Sequence, residues 1–244
     1  MFVSKKSLGL LLVVVIATCG CGSGSSDSLP TVNLESESTG SSASGGTKGN
    51  EVSTVPAIGG SVSPESVAPK IEMFPEVTIV TSLGKMRLRL NAQEAPETVD
   101  NFLYNYVDRG FYDGTVFHFV QNTSTAIAIA GGYDASLIAK KARAPIRNEA
   151  SSGAKNVRGT IAMSRQLEYA DSATSQFFLN LADNPSLDQT DAENGETFGY
   201  CVFGEIIEGL DVLQKIAEVD VHNSAGFINV PVEPIVIESM RREK

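Results

Sequence analysis

Residues 111–120 read Phe-Tyr-Asp-Gly-Thr-Val-Phe-His-Phe-Val, and the placement of this stretch decides the fold. Asp113-Gly114 is a turn pair, and residues 115–120 are β-branched and aromatic, the composition of a strand. Just upstream, Val99, Phe102, Leu103 and Tyr106 recur at i, i+3, i+4 and i+7. Pro96 suits a first helical turn and Gly110 closes the segment, so the spacing predicts one helix between them. Before it, Val77, Ile79 and Thr81 alternate with polar neighbours, Leu83-Gly84-Lys85 supplies a turn, and Met86, Leu88 and Leu90 alternate again. That is a hairpin with one wet face. After residue 120, strand-like runs occupy 126–130, 159–163, 176–180, 200–203 and 234–238. A second short helix is expected over 210–217, with Leu210, Leu213 and Ile216 on one face. About eight strands with a helix near each end predict a mainly β domain. The expected form is a closed eight-stranded antiparallel barrel capped by two helices, because closure leaves no exposed edge.

Composition sets the limits of this domain. The chain has 244 residues, 42% hydrophobic and 20% charged. At roughly 100–200 residues per domain this allows one domain with a long appendage, or two small domains. Of the Phe and Tyr residues, only Phe2 precedes Phe74, which places the folded head at 74–244. A net charge of −10 and a pI near 4.7 exclude the basic face that nucleic acid requires. Three cysteines make no disulfide framework, and no paired CxxC motifs exist for zinc. His118 and His222 lie far apart, so no metal site and no cofactor is expected. Cys201, between Tyr200 and Val202, reads as a buried inert thiol, and His222 as a solvated loop residue.

The first 73 residues read as address and tether. Lys5 and Lys6 precede an apolar run over 8–16, too short for a membrane span of about 20 residues. Ala17-Thr18-Cys19-Gly20-Cys21 follows, and this resembles a bacterial lipoprotein signal (1–20). Gly20 is the small residue such a signal wants before its cysteine, which favours Cys21 over Cys19 for lipidation. Residues 22–68 hold 13 Ser, 8 Gly and 4 Thr without an aromatic. Such a segment cannot bury enough surface to offset the entropy of ordering it. As a coil of about 50 residues it spans roughly 40 Å. Gly22 is not the aspartate that marks inner-membrane retention. The expected location is therefore the cell envelope, lipid-anchored in the outer membrane and facing the periplasm, with a monomeric head on a tether spanning 21–73.

Several long blocks of the head are similar to bacterial cyclophilins. They are Phe111 to His118, the pair Gly131-Gly132, Asn148-Glu149, Arg158 to Met163, Asp171 to Asn180 and Gly199 to Val212. The resemblance runs from about Val77 to Met240. It implies catalysis of cis/trans isomerisation at X–Pro bonds, a step that takes tens to hundreds of seconds uncatalysed. In the family an apolar pocket grips the proline ring and an arginine donates hydrogen bonds near the prolyl nitrogen, with no metal or covalent intermediate.

Carried over residue by residue, the resemblance implies a peptide-binding groove of Phe117, His118, Met163, Ser164, Arg165, Gln176, Phe178, Leu187 and Tyr200. Phe178 is expected at the floor of the proline pocket. Phe177 and Phe178 are adjacent on a strand, so their rings point to opposite faces. His118 on its own reads as a packed strand histidine. The departures fall on the chemistry. Phe-His-Arg of the family is Phe117-His118-Phe119 here, so the arginine position holds no cation. The segment between His118 and Gly131-Gly132 is three residues longer than the pattern, with the insertion near 121–125. Aligned back from the glycines, the pocket phenylalanine becomes Ile127, the methionine Ala128 and the glutamine Ala130, and Ser186 replaces a large aromatic.

Removing one preorganised donor to a transition state costs on the order of 10²–10³ in rate. The expectation is a peptidyl-prolyl isomerase of envelope proteins with weak or absent turnover. The alternative is a non-catalytic module that binds prolyl segments as a chaperone or assembly factor. A third reading gives the barrel another interface through the 121–125 insertion. Arg165, Arg143 and Arg147 are the cations that could swing in to replace the lost guanidinium.

Overall fold

The structure is a computed structural model that describes residues 72–243. The expected signal peptide, Cys21 and nearly all of the expected tether lie outside the described residues. Nine antiparallel segments form one sheet, in the order β3, β11, β1, β2, β8, β6, β7, β5, β4. In chain order these are β1 (Glu76–Thr81), β2 (Gly84–Leu90), β3 (Thr115–Val116), β4 (Phe119–Gln121), β5 (Ile127–Ala130), β6 (Thr160–Met163), β7 (Phe177–Asn180), β8 (Val202–Glu208) and β11 (Val236–Arg242).

The two end segments, β3 and β4, are separated in the chain only by Phe117 and His118. Phe117 N donates to Ile235 O on the β11 side (3.0 Å), and His118 N donates to Ile129 O on β5 (3.1 Å). One interrupted strand thus closes the curled sheet on itself, and with β3 and β4 counted together the barrel has eight strands. The single strand expected over 115–120 is therefore broken in the middle.

Inside the barrel, Val77, Ile79, Met86, Leu88 and Leu90 of the first hairpin meet Phe102, Tyr112, Phe117, Phe177 and Phe203. Tyr112 and Phe177 pack edge-on at 5.4 Å, and Phe102 and Phe203 lie 5.0 Å apart. Each fully buried aromatic or aliphatic side chain of this kind contributes about 1.5–3 kcal/mol.

The first helix differs from the expectation. α1 (Pro96–Asp100) runs on into a π-helical stretch (Asn101–Tyr106) and a 3-10 turn (Val107–Arg109), closed by Gly110 in the left-handed region at φ 62°. The apolar spacing gives no signal for this change of pitch, which leaves Asn101 as well as Phe102 and Leu103 buried. Asn101 Nδ2 donates to Thr174 O at 3.1 Å. No local side chain caps the first turn; Glu149, over 50 residues away, does so instead. Its carboxylate accepts from Glu97 N (3.2 Å), Thr98 N (2.8 Å) and Thr98 Oγ1 (2.7 Å), where the helix dipole favours negative charge.

α2 (Leu210–Ala217) has the expected bounds. Its buried face is Val212, Leu213 and Ile216; Leu210, in the exposed first turn, is 43% accessible and is not part of it. A separate ribbon of β9 (Val221–Ser224) and β10 (Phe227–Pro231) follows. Ala225 and Gly226 join the two strands with φ of 50° and 86°, the twist a two-residue hairpin needs. His222, expected in a loop, is an exposed residue of β9.

Candidate active site

Side chains alternate along β7, so Phe177 enters the barrel core and Phe178 faces the other way. The register then builds a row on that outer face. Phe119 pairs with Ile129, Ile129 with Phe178, Phe178 with Ala162, and Ala162 with Val202. The row crosses β4, β5, β7, β6 and β8, and these five residues share one apolar cluster with Ile127, Leu187 and Tyr200. Tyr200 meets Phe178 edge-on at 5.5 Å. Leu187 lies beside them on a 3-10 turn (Pro185–Leu187), and Ser186 on the same turn is exposed.

This register overturns part of the sequence-based alignment. Ala128 and Ala130 do not line the groove: both are fully buried in the barrel core, in register with Leu179 and Phe177. Their small side chains leave room for those larger partners. Ile127 and Ile129 are the groove residues of β5. Pocket positions expected on adjacent residues of one strand cannot all face the groove, because neighbours on a strand point to opposite faces. Met163 and Phe117 are also core residues, packed in the barrel rather than in the groove.

The remaining expected residues divide between the groove margin and the scaffold. Gln176 is half-buried, and its side chain lies against Gly132, where a Cβ would come within 2.7 Å of it. Ser164 N donates to Gln176 O at 2.9 Å. Gly131 adopts φ 83°, and a Cβ there would meet Tyr112 at 2.7 Å and Ser175 O at 2.9 Å, so this glycine is sterically required.

His118 lies in the gap between β3 and β4, 4.6 Å from the Tyr133 ring and 6.2 Å from that of Phe227. Its Nδ1 has no hydrogen-bond partner, and burial holds its pKa down at about 4. It is neutral at pH 7 and belongs to the packing beneath the β9–β10 ribbon.

Arg165 is fully committed to its own loop. Nε donates to Gly199 O (2.8 Å), Nη1 to Gln166 O (2.9 Å) and Leu167 O (2.8 Å), and Nη2 to Gly195 O (2.8 Å). The guanidinium also sits 4.8 Å from the Tyr200 ring. Burial lowers the Arg165 pKa, with the Tyr200 phenol acting the other way. Swinging into the groove would strand four carbonyls, so Arg165 is a clamp and not a substitute donor. Arg143 and Arg147 are exposed on the segment that meets the first helix, where Tyr106 Oη accepts from Arg143 N and Glu97 from Arg147 N.

The 121–125 insertion is held at both ends. Gln121 Nε2 donates to Thr125 O (3.1 Å), and Asn122 Nδ2 donates to Ala217 O at the end of α2 (3.1 Å).

Three buried asparagines escaped the sequence reading. Asn184 binds both backbone groups of Ala126: Ala126 N donates to its Oδ1 (3.0 Å), and its Nδ2 donates to Ala126 O (2.9 Å). Nδ2 also reaches Asn180 Oδ1 (2.8 Å). Asn180 Nδ2 donates to Asn156 Oδ1 (3.2 Å) and Thr160 Oγ1 (2.8 Å). Asn156 Nδ2 donates to Leu187 O (3.1 Å) and Asp188 Oδ1 (3.1 Å), with Tyr200 O at 3.5 Å. Asn180 stands on the Phe178 face of an otherwise apolar strand, the one signal that could have singled it out.

Residues 76–242 match the family described as cyclophilin type peptidyl-prolyl cis-trans isomerase/CLD. The chain belongs to the cyclophilin family.

By homology it is a peptidyl-prolyl cis-trans isomerase of that family. It is 44% identical to peptidyl-prolyl cis-trans isomerase A of Dickeya dadantii over 165 residues, covering 68% of this chain and 83% of that one. It is 42% identical to peptidyl-prolyl cis-trans isomerase B of Escherichia coli over 164 residues, 67% of this chain and 97% of the relative. A solved cyclophilin-type isomerase of Cryptosporidium parvum shares the fold at a TM-score of 0.56 and 22% identity, over 70% of this chain and 98% of that one. The same Cryptosporidium protein has been solved in the presence of the dipeptide Ala-Pro, with a TM-score of 0.56 at 21% identity, covering 69% of this chain and 99% of that one. The cyclophilin fold of the head is thus mainly β, a curled antiparallel sheet with two helices, as the alternating patterns predict.

Proposed function

We propose that this cyclophilin grips proline-containing segments of envelope proteins and turns over their X–Pro bonds slowly or not at all. The observation that carries the reading is Phe119. It occupies the end of the groove row where the family pattern has arginine, and every other member of that row is Phe, Ile, Ala or Val. None of these side chains can donate a hydrogen bond to a twisting prolyl amide. The nearest buried cation, Arg165, has its guanidinium bound to four carbonyls. Phe178, Leu187, Tyr200 and Gln176 support retained binding, since an apolar floor and a polar margin are what a prolyl segment needs.

The N-terminal pattern, with its basic start, short apolar run and Gly20-Cys21, supports a lipid anchor at Cys21 in the outer membrane and clients in the periplasm.

The test is two-dimensional NMR exchange on a short X–Pro peptide with the full chain, alongside the E. coli isomerase B as a reference. The expected result is little or no enhancement of cis/trans exchange, with peptide-induced shifts at Phe178 and Leu187. An exchange rate near that of the reference enzyme would refute impaired turnover. Absence of any shift at the groove would refute prolyl binding.

A further inference from the structure

We infer that Asn156, Asn180 and Asn184 are positioning residues that set the width of the groove without touching its ligand. The inference rests on the peptide-binding reading of that groove.

The three side chains are 0–2% exposed and form one continuous chain of amides. At one end Asn184 grips both backbone groups of Ala126, the residue that leads into β5 and so fixes where Ile127 and Ile129 stand. At the other end Asn156 holds the carbonyls of Leu187 and Tyr200. Asn180 bridges the two, directly opposite Ile127 in the β5–β7 register and two residues beyond Phe178. A continuous line of side-chain amides therefore joins both walls of the groove, beside the backbone bonds from Leu181 N to Ala126 O (2.9 Å) and from Tyr200 N to Leu187 O (3.0 Å). Neither wall is fixed to the other by sheet pairing at this point: Tyr200 precedes β8, and Leu187 lies on a 3-10 turn.

A buried amide chain is well suited to this task. Every atom has a fixed donor or acceptor role, and breaking one member leaves its neighbours unsatisfied in a medium where water cannot replace them.

The decisive variant is Asn180→Asp in the full chain. A protonated carboxyl can still donate one hydrogen bond toward Asn156 or Thr160; an ionised one cannot. Burial disfavours the charged form and raises the pKa of the new acid. The ionisable groups around it are Asp188 with Lys155 at 3.5 Å, Asp183, which accepts from Arg158 N, and the Tyr200 phenol. Titration of prolyl-peptide affinity between pH 5 and 8 should show near-parental binding at the acid end. It should fall about tenfold at the alkaline end, with shift changes at Leu187 and Ile127 that follow the same curve. The parent should be flat across that range, and Asn180→Leu should be weak throughout.

Thr160→Val removes the hydroxyl that accepts from Asn180 (2.8 Å) and donates to Val157 O (2.8 Å), and it keeps the test open if the acid variant does not fold. It should weaken binding about threefold. Unchanged affinity and unchanged Leu187 and Ile127 shifts in Thr160→Val, or a pH-independent Asn180→Asp, overturn the inference. If the parent itself binds no prolyl peptide, the peptide-binding reading falls and this inference falls with it.

Discussion

Replacing Phe119 by arginine tests how much of the proposed loss of turnover rests on a single side chain. In the parent the Phe119 ring packs in the row beside Ile129 and is 8% exposed. Arginine at 119 keeps part of that contact through its aliphatic stem, so the lost packing is about 1–2 kcal/mol. In return it brings the donors that the row lacks. One preorganised donor is worth on the order of 3–4 kcal/mol in the transition state, or about 10²–10³ in rate. The row limits this gain, because a guanidinium among Ile129, Phe178 and Val202 has no acceptor to hold it and favours solvent.

Phe119→Arg alone should therefore raise turnover about tenfold. Phe119→Arg with Ile129→Gln should approach a hundredfold, since an amide at 129, directly across β4–β5, can accept from the guanidinium. The assay is the peptide exchange measurement on the full chain, with fold checked by circular dichroism. A folded double variant that still binds peptide at Phe178 and shows no gain in exchange would sink the argument. It would locate the obstacle in the 121–125 insertion instead.

Two further predictions concern the scaffold. Arg165→Met should lower stability by about 3 kcal/mol, since four carbonyls lose a charged donor, and Arg165→Lys should not restore it because an ammonium cannot reach them in a fork; thermal unfolding of the two variants decides this. Stability should also fall as pH drops from about 6.5 toward 4, because the unfolded chain binds a proton at His118 that the folded chain refuses until about pH 4. The His118 contribution is fully present above 6.5 and amounts to about 3 kcal/mol. Urea unfolding at pH 7.5 and 4.5 should show the dependence in the parent and lose that share of it in His118→Phe; equal slopes in both would exclude His118 as the source.

How much of this was legible beforehand depended on where the partners lie. The bounds of α2 could be read from local spacing, although its buried face takes Val212 in place of the exposed Leu210. The first hairpin was legible for the same reason. β5 shows the limit: Ala-Ile-Ala-Ile-Ala alternates plainly, yet both of its faces are buried, so alternation cannot say which set faces the barrel. Only the pairing of Ile129 with Phe178 settles that. Arg165 and the three asparagines were illegible in a different way. Their partners are backbone carbonyls and amides up to 58 residues distant, which no short-range pattern encodes. The β9–β10 ribbon was missed because Ala225 occupies a left-handed turn position that alanine seldom takes.

The closure of the barrel through Phe117 and His118 also bears on how this molecule could stick to others. A strand from another chain can add only where a sheet offers unpaired amides, and the barrel uses both of its terminal segments within one continuous stretch of backbone. Among the described residues, the β9–β10 ribbon is the remaining sheet, and it carries exposed Val221 and Ile228, with Val232 just beyond it. Its second strand is itself blunted: the pairing shifts between Phe227 and Val230, Asn229 takes φ 53°, and Pro231 has no amide proton to give. Recruitment of a neighbour by strand addition, including the first step of aggregation, is thereby confined to the Val221–Ser224 edge.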